Sequence, residues 1–259
     1  MEPQQIYIAL SGALPAVVAM WIVDRLDAKR PEPASTRRLV AFFGMISVVP
    51  ALAIELLLLQ SVGEAVPPLG TYQGASFHAF VIAAGVEEAC KILVVYWVVW
   101  KRPEFDERMD GIVYASRAGL GFALVENVMY LLQQADIRDQ MTVWIERALL
   151  AVPGHAMWTG MIGAMAARRR FDGTGLGIVG GYLLAVAFHG AYDCTVFVGR
   201  PLHYEGHELL RTIMIAGPVV LTIAAFFVLR GMARTALRLD DADAARQAAA
   251  AAAVSVAPT

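Results

Sequence analysis

Two adjacent carboxylates and an ammonium, Glu87-Glu88-Ala89-Cys90-Lys91, stand near the middle of an apolar run from about Phe77 to Trp100. At ~1.5 Å per residue that run is long enough to cross a bilayer core. Ionisable groups inside a membrane span are expensive, so they point to function and to partners elsewhere in the chain. Other apolar runs supply those partners: Glu126 followed by Asn127, then His155, then His189 with Asp193 one helical turn further on. Glu87 and Glu126 with two imidazoles and a supporting aspartate suit hydrolysis. A buried carboxylate can act as general base on a water. Imidazoles can hydrogen-bond a developing oxyanion or bind a metal, and two histidines with a glutamate form a known catalytic zinc set. A proton relay through a membrane uses the same groups. Residue types alone therefore leave a hydrolase and a proton-coupled transporter both open.

Composition sets the frame for these groups. The chain of 259 residues is 58% hydrophobic and 17% charged, with a mean hydropathy of +0.56. Those values exclude an ordinary soluble domain and predict an all-α, polytopic membrane protein. Cys90 and Cys194 both fall in apolar runs and read as small hydrophobes, which excludes a Cys-only metal site. No phosphate-binding glycine loop and no basic patch calls for nucleic acid.

Seven apolar runs are predicted as spans: Ile6 to Val23, Leu39 to Leu59, Phe77 to Trp100, Gly111 to Leu132, Ala148 to Ala167, about Leu176 to Val198, and Ile213 to Leu229. The first lacks a basic flank and reads as a retained span rather than a secretory signal. Gln133 to Arg147 reads as a polar loop. Residues 1–239 read as one domain, and the alanine-rich 240–259 as a disordered or frayed cytoplasmic tail. With the N-terminus outside, fifteen Lys and Arg fall in inner segments and four, Arg138, Arg147, Arg200 and Arg211, in outer ones. The positive-inside rule then predicts an N-out, C-in topology. Counting from the outer ends places Glu87 roughly 15 Å deep, Glu126 roughly 9 Å, His155 roughly 10 Å and His189 roughly 14 Å. They form one layer in the outer half of the bilayer.

Each polar group also has a plainer reading. Glu87 or Glu88 with Lys91 could be a structural ion pair, and Asp193 could simply satisfy His189. Arg117 is expected to snorkel to the interface. His78, His203 and His207 are expected to be solvated. Gly173, Gly177 and Gly181 read as close helix packing.

Four motifs in order on successive spans resemble the PrsW family of intramembrane proteases, distant relatives of the CAAX prenyl endopeptidases and bacteriocin-processing enzymes. Glu87-Glu88-Ala89-Cys90-Lys91 resembles its EExxK, and Phe122 to Glu126 its FxxxE, followed by Asn127. Gly154-His155 with Trp158 resembles its third motif, and His189 to Asp193 its HxxxD. Pro31-Glu32-Pro33 and Asp110 to Tyr114 match as well, and the similarity covers roughly residues 5 to 230. The resemblance implies a peptidase of the bacterial cytoplasmic membrane. Its expected substrate is a single-span protein, such as an anti-sigma factor, cut on its extracytoplasmic side. It implies that Glu87 activates water, with Glu88 and Glu126 beside it, and that His155 and His189 orient the water or stabilise the oxyanion. Lys91, Asn127 and Asp193 have supporting roles. HExxH is absent, and a metal-free glutamate mechanism is favoured with no cofactor. In the zinc alternative the implied ligands are Glu126, His155 and His189.

Overall fold

The computed structural model describes residues 3–199, 202 and 206–256. Arg200 and His203 lie outside them. Among the described residues the chain is helical, with no strand. The helices are α1 (Pro3–Asp24), α2 (Ala34–Ile46), α3 (Val48–Val62), α4 (Tyr72–Phe77), α5 (Val86–Val98), α6 (Arg108–Leu132), α7 (Ile137–Glu146), α8 (Val152–Asp172), α9 (Gly177–Phe197), α10 (Glu208–Ile215) and α11 (Gly217–Val256). Among the described residues, four continuous segments are long and apolar enough to cross a membrane: Ile6–Asp24, Ala34–Val62, Ile137–Asp172 and Glu208–Ala253. The helices α5, α6 and α9, which carry most of the candidate residues, fall outside that set.

Two π-helical stretches join neighbouring helices into single rods. His78–Gly85 runs from α4 into α5, and Arg147–Ala151 runs from α7 into α8. Each ends within four residues of a candidate catalytic side chain, Glu87 or His155. A π turn inserts backbone into the helical ladder and re-aims the side chains beyond it, which is why such turns recur at functional sites. The second stretch corrects the polar loop expected at 133–147. Asp136 caps α7 by accepting from the Arg138 and Asp139 amides at 2.8 and 3.0 Å, and the helix then continues into α8.

Helix α6 is the central element. It is buried without interruption from Met109 to Ala123 and packs against α1, α2, α5, α8 and α11. Small residues let the backbones meet. A Cβ on Gly119 would lie 2.3 Å from the His155 carbonyl, and one on Gly111 would lie 2.4 Å from the Gly163 carbonyl. The row of small residues thus sets how closely the helix bearing His155 approaches the helix bearing Glu126. Of the glycines expected as packing residues, only Gly181 is one, since its Cβ would lie 2.7 Å from Ile162 Cα. Gly173 and Gly177 instead have φ of 68° and 60°, at the end of α8 and the start of α9.

The end of α6 away from the candidate site is fastened by charge. Arg117 does not snorkel; its Nε donates to Asp24 Oδ1 at 2.9 Å, and Arg37 reaches Asp24 Oδ2 at 2.5 Å. Arg108 pairs with Asp172, and with Asp240 and Asp243 at 2.8 and 2.7 Å. Asp240 also accepts from the Arg108 and Met109 amides at 3.2 and 3.1 Å, occupying orphan donors of the α6 N-terminus. The segment after Asp240, where composition points to disorder or fraying, continues as helix to Val256. His207 is exposed and His78 half-buried.

Candidate active site

Glu87 and Glu88 occupy the first turn of α5, and Lys91 lies three and four residues on, so all three reach a common point. Lys91 Nζ lies 2.9 Å from Glu87 Oε2, 2.9 Å from Glu88 Oε1 and 2.8 Å from His155 Nδ1. It also sits 4.2 Å above the Phe122 ring. An ammonium has three hydrogens, and three acceptors surround this one. His155 Nδ1 must then accept, which leaves the hydrogen on Nε2. That nitrogen points at Glu126 Oε2, 2.8 Å away. The tautomer is assigned by this network.

The two glutamates differ. Glu88 is fully buried, with Oε1 shared between Lys91 and His189 Nδ1 (3.0 Å) and Oε2 accepting from Thr159 Oγ1 at 2.8 Å. Glu87 keeps 7% of its surface, and its contacts with Lys91 and His189 fall on Oε2 alone. His189 Nε2 stands 3.4 Å from Asp193 Oδ2 and 3.9 Å from Glu87 Oε2. The two imidazoles are 5.2 Å apart between centroids, and Trp158 stacks on His189 at 4.2 Å with an interplanar angle of 13°. Tyr192 lies 5.3 Å from Trp158 and lines a cavity of about 430 Å³ with Glu146, Leu150, Thr195, Met214 and Pro218.

All eight residues singled out in the sequence meet in this network. Asn127 enters through its side chain, which donates to the Gly12 carbonyl at 3.1 Å and accepts from Arg147 Nε at 2.6 Å. Arg147 reads as an outer-loop charge in the sequence, yet its Nη2 also donates to Glu126 Oε2 at 2.6 Å. Its position eight residues before His155 on one continuous rod is the signal for it, and the π turn hides that signal. Thr159 also escapes a reading by residue type; its spacing of i+4 from His155 places both on one face.

The donor types fit a metal, although not with the ligands expected from sequence. Ligand atoms of Glu87, His155 and His189 lie within 4.8 Å of one another. Glu126 is instead held by His155 and Arg147, so Glu87 replaces it in the candidate set. Two members of this set, Glu87 and His155, also contact the Lys91 ammonium.

A family model described as "PrsW family intramembrane metalloprotease" matches residues 32–229. Similar proteins include "Protease PrsW" of Geobacillus kaustophilus, 32% identical over 185 residues that cover 71% of this chain and 76% of that one. "Protease PrsW" of Clostridioides difficile is 27% identical over 73% of this chain and 79% of its own length. "Protease PrsW" of Bacillus subtilis is 28% identical over 72% and 81%. No solved structure matches.

Proposed function

This chain belongs to the PrsW family of intramembrane metalloproteases, a multi-pass peptidase of bacterial membranes, and on that premise we propose that it cuts a membrane-anchored protein near the extracytoplasmic face. The expected substrate is a single-span protein of the anti-sigma-factor kind. Seven spans serve this reading. The four apolar segments are completed by the helices carrying Glu87, Glu126 and His189, whose polar faces turn inward rather than to lipid. The N-terminus is outside and the C-terminus inside. A reporter fused after Arg170 should be cytoplasmic and one inserted at Gln134 exported; the reverse pattern would remove the extracytoplasmic assignment.

One observation carries the chemistry: of the paired glutamates Glu87 retains some exposure and makes its Lys91 and His189 contacts through Oε2 alone, whereas Glu88 is fully buried with both oxygens engaged by Lys91, His189 and Thr159. Glu87 Oε1 takes a proton from the attacking water as general base. His189, whose Nε2 faces Asp193 and Glu87, hydrogen-bonds the oxyanion formed at the scissile carbonyl, and His155, committed to Lys91 and Glu126, positions the base through Lys91. Glu88, Lys91, Glu126 and Asp193 hold the two rings and the base in register, and Asn127 with Arg147 ties Glu126 to the helix that bears His155. Where a metal is bound, Glu87, His155 and His189 would hold it, and it would polarise the carbonyl and acidify water. Lys91 already supplies positive charge beside two of those residues, which supports the metal-free form.

Purified protein incubated with candidate single-span proteins, with and without a chelator, tests this reading. A defined fragment should appear in both reactions. Loss of cleavage on chelation, restored by zinc, would transfer the role to a metal. Absence of any fragment across such substrates in liposomes would count against proteolysis.

A further inference from the structure

A second group of acids lies at the far end of α6. Asp110 of α6 and Asp27 and Glu32 of the α1–α2 loop bring carboxylate oxygens within 4.8 Å of one another. They are 1%, 2% and 8% exposed. An acidic cluster alone would mean little, but these side chains are anchored by some oxygens and leave others open. Asp110 Oδ2 accepts from the Asp106 and Glu107 amides at 2.8 and 2.6 Å, and Glu32 accepts from the Tyr114 hydroxyl. Among the described residues, Asp110 Oδ1 and both oxygens of Asp27 are buried with no hydrogen-bond partner. Arg30, on the same loop, gives Nε to Glu107 at 2.5 Å and Nη1 to Asp241 at 2.9 Å, and its Nη2 is buried without a hydrogen-bond partner.

Buried carboxylate oxygens without hydrogen-bond partners are costly. We propose that Asp27, Glu32 and Asp110 form a binding site for a hard divalent cation of the Ca²⁺ or Mg²⁺ class, clamping the α1–α2 loop onto α6. The donor set is oxygen only, which suits those ions and not zinc or copper. Oxygens that all lie within 4.8 Å of one another can surround one ion, since opposite ligands at a Ca–O distance of ~2.4 Å stand about that far apart. Asp110 and Glu126 are sixteen residues apart on one helix, roughly 24 Å along its axis. The site is therefore separate from the peptidase centre. Proton binding agrees with the geometry. Burial, reinforced by Glu107, pushes Asp27 up to about 6, and burial likewise raises Glu32 and Asp110.

Full-length protein stripped of metal in detergent should show saturable Tb³⁺ luminescence, excited through Tyr114, that Ca²⁺ or Mg²⁺ displaces. Asp27→Asn should weaken that binding by at least about tenfold, and Glu32→Gln serves as the second variant if the first does not fold. Glu87→Gln should leave the luminescence unchanged, which separates this site from the catalytic cluster. Luminescence that never saturates, or that survives in both Asp27→Asn and Glu32→Gln, would overturn the proposal. So would loss of the signal in Glu87→Gln alone. In the first of those cases Arg30 or a shared proton neutralises the cluster instead.

Discussion

Glu87→Gln should lower cleavage by roughly 10²-fold or more while the protein remains folded in detergent. The amide keeps the length and planarity of the carboxylate, and its carbonyl oxygen can still accept from Lys91 at the 2.9 Å position. It loses the ability to take a proton. Glu88 cannot substitute, because Thr159, Lys91 and His189 occupy both of its oxygens and it has no exposed surface. The measurement is initial cleavage rate of a single-span substrate alongside a thermal unfolding scan. A well-folded Glu87→Gln protein that cleaves at the wild-type rate would end the assignment of the base.

Lys91→Met should behave differently, losing stability first. Removing the ammonium leaves Glu87 and Glu88 adjacent in a buried site without their shared cation. Breaking one side of a buried pair costs about 3–5 kcal/mol. It also frees His155 Nδ1, so the ring is no longer committed to presenting its Nε2 hydrogen to Glu126. Denaturant unfolding in detergent should show a large loss of stability, with activity absent even in the folded fraction. Were Lys91→Met as stable as wild type, the three short contacts around Nζ would not carry the site.

The helices and the residues that come together in the candidate site are legible in the sequence because they depend on local spacing. Glu87, Glu88 and Lys91 share a face by their separations of three and four, as do His189 and Asp193, and hydropathy locates most of the long runs. The hidden part depends on how each helix is turned about its own axis. One residue of register is ~100° of rotation, so depth alone does not choose between Glu87 and Glu126 as the partner of both imidazoles. The π turns change that register without a mark in composition. Arg147 is the clearest casualty, since a basic residue at a run's edge looks like loop charge until the ladder is seen to continue. Arg117 with Asp24, and Arg108 with Asp240, lie 93 and 132 residues apart. Composition offers no pairing rule over such distances.

The reach of the network along the chain has a consequence for biogenesis. Lys91 meets His155 across 64 residues, and Glu88 meets His189 across 101. Helices enter a membrane in the order of synthesis, so Glu87, Glu88 and Lys91 wait for α8 and then α9 before their acceptors and donors are complete. Until α9 is seated, Glu88 lacks His189 and Glu87 has no second imidazole beside it. The nascent chain therefore passes through the insertion machinery, surrounded by other single helices, with its cutting centre in unassembled pieces. The candidate site is complete only once α9 is seated, an order set along one polypeptide rather than by a removable inhibitor.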